Sequence, residues 1–371
     1  MKPTWKALPP FFDAVHTRLG DDLSLSLRRE TFVEDSPGRI VERLAALGVF
    51  RLLRTCDSVR ALCVAREILA YRSSVADAIF AVQGLAAATL NAADPERWKG
   101  YLQDAAAGRL VGGFAATEPE AGSDIASMRT LAIPRGDGWA IDGHKTFVAN
   151  IGIASFFIVF ATVDPARGKK GITAFVVQAN DPGVEAQALD MMDGHPVGRL
   201  VLHGARGELL GPIGKGLRLG LGTLEIFRAT VGAAAVGMAQ RAFDEAIGHT
   251  QRRVQFGQPL ANFQLVQADL AEMATELEAA RLLVARAAWG KDVGSATSAE
   301  VAMAKLFATE AAQRIVDRAV QLHGGLGVER GSVVERLYRA VRSLRIYEGT
   351  SEIQKLIIAR SLLDEARNET R

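Results

Sequence analysis

Four separated stretches of the chain combine hydroxyl, amide or glycine residues with one side chain able to do chemistry. The first, Phe114-Ala115-Ala116-Thr117-Glu118-Pro119-Glu120-Ala121-Gly122-Ser123-Asp124, offers hydroxyls at Thr117 and Ser123, and Gly122 lets backbone amides approach a polar ligand. Pro, Gly, Ser and Asp also make ordinary turns, so the spacing alone reads equally as a turn. The second, Asp142-Gly143-His144-Lys145-Thr146-Phe147-Val148-Ala149-Asn150, is a turn entering a strand, with Phe147 a core residue or a platform for a ligand ring. In the third, Arg253-Val254-Gln255-Phe256-Gly257-Gln258-Pro259-Leu260, Arg253 could pair with a phosphate or sit solvated at a helix end.

The fourth comes in two parts, Gln321-Leu322-His323-Gly324-Gly325-Leu326-Gly327 and Ile346-Tyr347-Glu348-Gly349-Thr350-Ser351-Glu352-Ile353-Gln354. Ser351 and Gln354 have the spacing of a capping box, and Ile353, Leu356, Ile357 and Arg360 continue as a helix whose amide-rich start suits an anion. Glu348 lies just ahead of it. A loop carboxylate is either solvated and idle or, once desolvated, a general base.

The elements that must carry these stretches follow from hydrophobic spacing. Over residues 7 to about 109 the apolar positions Ile40, Leu44, Leu47 and Val59, Leu62, Ile68, Leu69 recur at helical intervals. From Val111 to about Glu208 the texture changes to short runs, Phe156-Phe157-Ile158-Val159-Phe160-Ala161 and Ile172-Thr173-Ala174-Phe175-Val176-Val177, punctuated by Gly, Pro, Asp and Asn. Beyond Gly216 long Ala-rich helices are expected at 225–250, 262–289 and 298–322. Helices, then strands, then helices predict an α+β chain with segregated layers, divided at 1–110, 111–208 and 209–371.

Composition narrows the function. The 371 residues are 49% hydrophobic and carry a net charge of +2, enough apolar material for a large core and no excess of positive charge for nucleic acid. The apolar run at 229–239 is closed by Arg228 and Gln240, short of the roughly 18 residues that span a bilayer, so no membrane segment is expected. Residues 1–12 lack the apolar stretch of a signal peptide. Cys56 and Cys63 form no CxxC pair, and the six histidines are scattered, which predicts a reduced, cytoplasmic chain with no metal site. Neither a GxGxxG opening a helix after a strand nor a GxSxG elbow is present.

In this order and spacing the stretches resemble the acyl-CoA dehydrogenase family of flavoproteins: FAATEPEAGSD (114–124), GHKTFVAN (143–150), RRVQFGQPLANFQ (252–264), QLHGGLG (321–327) and IYEGTSEIQKLIIAR (346–360), within a match running from about Leu44 to Leu363. The resemblance implies an all-α N-terminal domain, a middle β-barrel, a C-terminal four-helix bundle and bound FAD. By position, Ala116 and Thr117 would line the flavin, Ser123 would reach the pyrophosphate, and Phe147 would lie beside the ring. Ala149 stands where many members place a Thr or Ser bonded to flavin N5. Arg253, Gln255, Phe256, Gln321 and Gly325 would contact the ADP half of an FAD held by a neighbouring subunit, implying a homodimer or homotetramer. Thr350 and Glu352 match the FAD side of the last helix. Glu225, Arg228, Tyr347 and Gly349 fall on the substrate side.

Glu348 matches the family's catalytic base, and Phe227 occupies the position where another branch places its base. The implied reaction is α,β-dehydrogenation of a saturated acyl thioester to a trans-2-enoyl thioester, with electrons passed to an electron-transferring flavoprotein or another acceptor. Two departures, a run of residues 51–58 without the usual Pro- and Gly-containing loop and Asp190-Met191-Met192-Asp193-Gly194-His195 in place of a Gly-Met-Arg-like stretch, suggest a remodelled entrance. An acyl group on an acyl-carrier protein, or a flavin oxidase or oxygenase reaction, is the alternative. A flavin-binding scaffold without turnover is the reading from a different class.

Overall fold

The computed structural model describes residues 3–28, 30, 32 and 35–369. Six helices come first: α1 (Thr4–Ala7), α2 (Ala14–Ser26), α3 (Pro37–Ala46), α4 (Val59–Arg72), α5 (Ser74–Ala93) and α6 (Lys99–Ala106). Seven strands of one sheet follow: β1 (Gly112–Ala115), β2 (Leu131–Arg135), β3 (Gly138–Ala149), β4 (Phe156–Thr162), β5 (Ile172–Gln178), β6 (Val184–Ala188) and β7 (Val197–Leu210). The chain ends in α7 (Gly216–Arg252), a short hairpin of β8 (Val254–Gln255) and β9 (Gln258–Pro259), then α8 (Gln264–Asp292), α9 (Ser298–His323), α10 (Gly325–Val328), α11 (Val333–Ser343) and α12 (Ser351–Glu369). The order of helices, strands and helices expected from the sequence is the observed one.

By compactness the chain forms two units, each assembled from separated segments. The first draws on Met1–Thr31, Ser58–Asp77 and Ile226–Arg371, the second on Phe32–Asp57 and Ala78–Glu225. In the first unit, α7, α8, α9 and α11 meet over a core of small and branched residues, among them Ala235, Met273, Val284, Ala308, Ile315 and Val341. Alanine on facing helices lets long helices pack closely while keeping high helix propensity. Local signals set the ends: Thr297 and Glu300 form a capping box at the start of α9. Ser58 caps α4, and the Asp292 carboxylate accepts from the Val59 N–H at 2.6 Å, a negative group at the positive end of the helix.

In the second unit the pairings close on themselves. β3 joins β7, β7 joins β5, β5 joins β4, and β4 returns to β3 through both β1 and β2, with β6 added outside β7. That closure makes a barrel, filled by Val148, Phe157, Val159, Phe175, Val177 and Leu200 among others.

Two expectations shift. The Ala-rich helix expected from 225 begins earlier, at Gly216, and Gly220 within it allows close approach: a Cβ there would lie 2.8 Å from the Phe160 ring. The apolar run at 229–239 is thus the middle of a longer helix. Both α5 and α7 are long and apolar enough to cross a membrane by length and composition, with 72% and 61% of their most apolar windows buried inside the protein, as core helices are.

Candidate active site

In the first unit the chain between α11 and α12 carries Glu348, one of few non-glycine residues with left-handed backbone, φ +54°. Strain of this kind persists only where the surroundings hold it. Lys305, buried in the middle of α9, donates from Nζ to the carbonyls of Tyr347 at 3.0 Å and Gly349 at 2.6 Å, the two residues flanking Glu348. Gln354, fully buried in the first turns of α12, donates from Nε2 to the same Gly349 carbonyl at 2.9 Å. Gly349 has φ +92°, and a Cβ there would come within 2.7 Å of that Gln354 amide. Two donors and a glycine therefore fix the loop and the direction of the Glu348 side chain.

The capping box expected at Ser351 and Gln354 is not formed. The Thr350 hydroxyl accepts from the Ile353 N–H at 3.3 Å, while Ser351 donates to Glu310 at 2.6 Å and Gln354 turns back to the loop. Holding the Glu348 segment takes precedence over a local cap. Thr350 thus caps α12, and Glu352 is exposed in its first turn, where a negative charge is favourable.

The Glu348 side chain is 7% exposed, and its Oε2 is buried with no hydrogen-bond partner. Burial pushes this carboxyl above the usual carboxylate range, and the cations of Arg66, Lys305 and Arg228 only partly offset that. Arg66, fully buried on α4, stands with Nη1 4.0 Å from Glu348 Oε1, beyond hydrogen-bond reach. Its partners include Asp77, at 2.8 Å from both Nε and Nη2, and the Thr230 hydroxyl, at 2.9 Å from Nη1. Burial pushes Lys305 down to about 8, against the pull of Glu348. A desolvated carboxylate oxygen without a hydrogen-bond partner, with the Arg66 guanidinium stopping 4.0 Å from its twin, is equipped to take a proton.

Of the residues singled out in the sequence, Glu348, Arg228, Tyr347 and Gly349 meet here. Sequence reasoning missed Arg66, Asp77, Thr230 and Lys305, and gave Gln354 a capping role in place of its hold on the loop. The available signal was charge set inside an apolar helical run, as at Cys63-Val64-Ala65-Arg66-Glu67-Ile68-Leu69 and Ala302-Met303-Ala304-Lys305-Leu306-Phe307. Elsewhere in this unit, Arg253, Gln255 and Phe256 sit exposed on the hairpin after α7, and Gln321 and Gly325 lie exposed around the end of α9. The stacked rings of His249 and His323, 4.4 Å apart, bring those two helix ends together.

In the second unit the first two stretches are joined. Lys145, fully buried, donates to the Ala116 carbonyl at 3.2 Å, and the Thr146 N–H donates to the Thr117 carbonyl at 2.9 Å. Phe114 pairs with Ala149. Beneath them Glu118 accepts from Lys145 Nζ at 2.8 Å, the Arg129 N–H at 2.6 Å and the Thr130 hydroxyl at 2.6 Å. Ala116 is buried and Thr117 half-buried beside it, Ser123 is exposed at the end of its stretch, and Glu225 lies in the last turn of α7 that belongs to this unit.

Whether an aromatic, anionic cofactor suits these residues can be judged from two side chains. Phe147 is 61% exposed on left-handed backbone, φ +52°, at an irregularity in the β3–β7 pairing. Phe256, in the first unit, is 93% exposed at φ +51°. An exposed aromatic ring held in a strained conformation gains nothing from burial within its own chain, and each sits beside hydroxyls, amides or an arginine able to take an anion. These residues fit a flat, phosphate-bearing group.

Comparison with known proteins agrees with this arrangement. Residues 113–205 match the acyl-CoA dehydrogenase middle domain and residues 214–363 the acyl-CoA dehydrogenase C-terminal domain. The chain is 42% identical over 274 residues to a 3-(aryl)acrylate reductase of Clostridium sporogenes, covering 72% of this chain and 73% of that one. Its fold is similar to butyryl-CoA dehydrogenase from Megasphaera elsdenii, with TM-score 0.89 and 30% identity over 95% of this chain and 99% of that one. It is also similar to the prolyl acyl carrier protein oxidase AnaB, with TM-score 0.87 and 28% identity over 95% and 99%. With these likenesses and a helix–barrel–helix architecture, the chain belongs to the acyl-CoA dehydrogenase family, flavin-dependent oxidoreductases acting on CH–CH groups.

Proposed function

We propose that this chain catalyses FAD-dependent α,β-dehydrogenation of a saturated acyl thioester, with Glu348 removing the α-proton. The observation that carries this reading is the buried Glu348 carboxylate, one oxygen without a partner, on a backbone clamped by Lys305 and Gln354. The α-proton of a thioester is weakly acidic, so a base of raised proton affinity in a water-poor site is matched to it. FAD, when bound, supplies the acceptor for the β-hydride.

In this reading the Glu348 N–H donates to the thioester carbonyl, while Glu225, Arg228, Tyr347 and Gly349 contact the substrate. Ala116, Thr117, Phe147 and Ala149 hold the ring side of the flavin and Ser123 its pyrophosphate. Arg253, Gln255, Phe256, Gln321 and Gly325 bind the ADP half of a second subunit's FAD, Thr350 and Glu352 lie on the FAD side of α12, and the working assembly is a homodimer or homotetramer. Electrons leave to an electron-transferring flavoprotein or another acceptor, in a reducing, cytoplasmic setting. Both cysteines being free thiols agrees with that setting.

A second reading keeps the chemistry and changes the carrier or the acceptor: an acyl group on an acyl-carrier protein, or oxygen as oxidant. The likeness to AnaB and the absence of a hydroxyl at Ala149 favour it. Anaerobic titration of the flavin with a panel of CoA-bound and carrier-bound acyl thioesters tests both. Bleaching by a saturated thioester, abolished in Glu348→Gln with FAD retained, is the expected result. Normal bleaching of that variant removes Glu348 from the reaction, and fast reoxidation by oxygen selects the oxidase.

A further inference from the structure

Glu348 is surrounded by more positive than negative charge, yet the Arg66 guanidinium stops short of the carboxylate, and the residue that holds it back is Asp77. The Arg66 guanidinium is fully buried, its side chain 0% exposed, and Asp77, 1% exposed, engages it in a two-pronged pair through Nε and Nη2, each at 2.8 Å. The third anchor is the Thr230 hydroxyl, which donates its own proton to the Phe227 carbonyl at 2.7 Å and so accepts from Arg66 Nη1 at 2.9 Å. With three donors committed, the guanidinium stops with Nη1 4.0 Å from Glu348 Oε1. A planar fork of this kind closes readily on any carboxylate within reach, and a base locked in such a pair is a poor base.

We propose that Asp77 is a positioning residue for the reaction: by engaging Arg66 it keeps that guanidinium from closing on Glu348, and so leaves the carboxylate available to take a proton.

The groups facing Glu348 come from every element around it. They are Arg66 on α4, Asp77 on α5, Arg228 on α7, Lys305 on α9 and Tyr347 next in the chain, with Glu310 and Glu352 acting on Lys305. Arg66 lowers the proton affinity of Glu348 and Asp77 raises it. The guanidinium has the larger effect of the two, and removing one half or the other should move Glu348 in opposite directions.

The inference rests on Glu348 being the base, so its test reads proton affinity with no substrate. In the FAD-loaded enzyme, an infrared pH titration follows the C=O stretch of the protonated carboxyl that Glu348→Gln removes. In Asp77→Asn the midpoint should fall by about one unit or more, a tenfold loss of proton affinity. In Arg66→Gln it should rise by a similar amount. Thermal melting and FAD content establish that each variant is folded, and if Asp77→Asn does not accumulate, the sign of the Arg66→Gln shift decides. Midpoints within about 0.3 unit of the parent, shifts of the same sign, or a parent enzyme whose Glu348 never protonates between about pH 5 and 9 would overturn the proposal. Thioester reduction by Glu348→Gln tests the base itself, so either result can fail without the other.

Discussion

Each compact unit buries a lysine that desolvation pushes down to about 8, and each lysine stands near a glutamate, yet the two pairs are opposites. In the second unit Lys145 touches Glu118 at 2.8 Å, and although burial works against the charge, Lys145, the Arg129 N–H and the Thr130 hydroxyl outweigh it and hold Glu118 below the usual carboxylate range. In the first unit Lys305 spends its donors on backbone carbonyls, and Glu348, left with a partnerless oxygen, rises above that range. The same two residue types make a structural joint when they meet and a reactive group when the lysine is turned aside. Hydrogen bonding to the charged form, rather than burial by itself, separates the two.

The contrast can be broken from either side. Removing the reactive carboxylate should have the largest effect: Glu348→Gln is expected to slow flavin reduction by a thioester about 10³-fold, within the range for a general base, with FAD content and melting temperature close to the parent. Glu118→Gln should do the reverse, leaving Lys145 buried without its counter-charge, at a cost of about 3 kcal/mol in urea unfolding. If its flavin reduction fell as far as that of Glu348→Gln, the division into joint and reactive group would be wrong. Lys305→Met, which frees the Tyr347 and Gly349 carbonyls, should lower the reduction rate about tenfold, and Lys305→Arg should recover part of it, since a guanidinium can still donate to both.

The smallest effect sharpens the comparison through pH. Glu348 binds its proton more tightly folded than unfolded, so its contribution to stability is present at low pH and is lost as pH rises from the ordinary carboxylate value through the raised one. Glu118 binds its proton less tightly folded, so its contribution is present above the ordinary value and is lost as pH falls through the lowered one. Urea unfolding from about pH 2.5 to 8, in steps of about one unit, should show the two Gln variants changing the pH dependence with opposite signs, by about 1.4 kcal/mol per unit of pKa shift.

Much of the fold was legible because it rests on local signals. The α9 helix was expected at 298–322 and spans Ser298–His323, where a capping box and an Ala-rich stripe act within a few turns. The strands at Phe156–Thr162 and Ile172–Gln178 were likewise visible as apolar runs. The early start of α7 was hidden, because a glycine needed for contact with a distant ring has the same letter as one that ends a helix. At the site, Glu348 was legible through its motif, but its burial was not, and neither were Arg66, Asp77 and Lys305. Their work depends on partners from 11 to 164 residues away in sequence, which no local spacing records.

The closed ring of strands carries a consequence for how the chain comes into being. Its seam joins β3 to β7, with Trp139 opposite Gly207, so while the protein is synthesised from its N-terminus the first strands wait with open edges until the last one emerges. Such distant pairing is slow, and the interval leaves sticky ribbon exposed on the ribosome. Once β7 is in place the ring closes over the edges of β3 and β5, and β6, paired to β7 alone, is left as the strand with an open side.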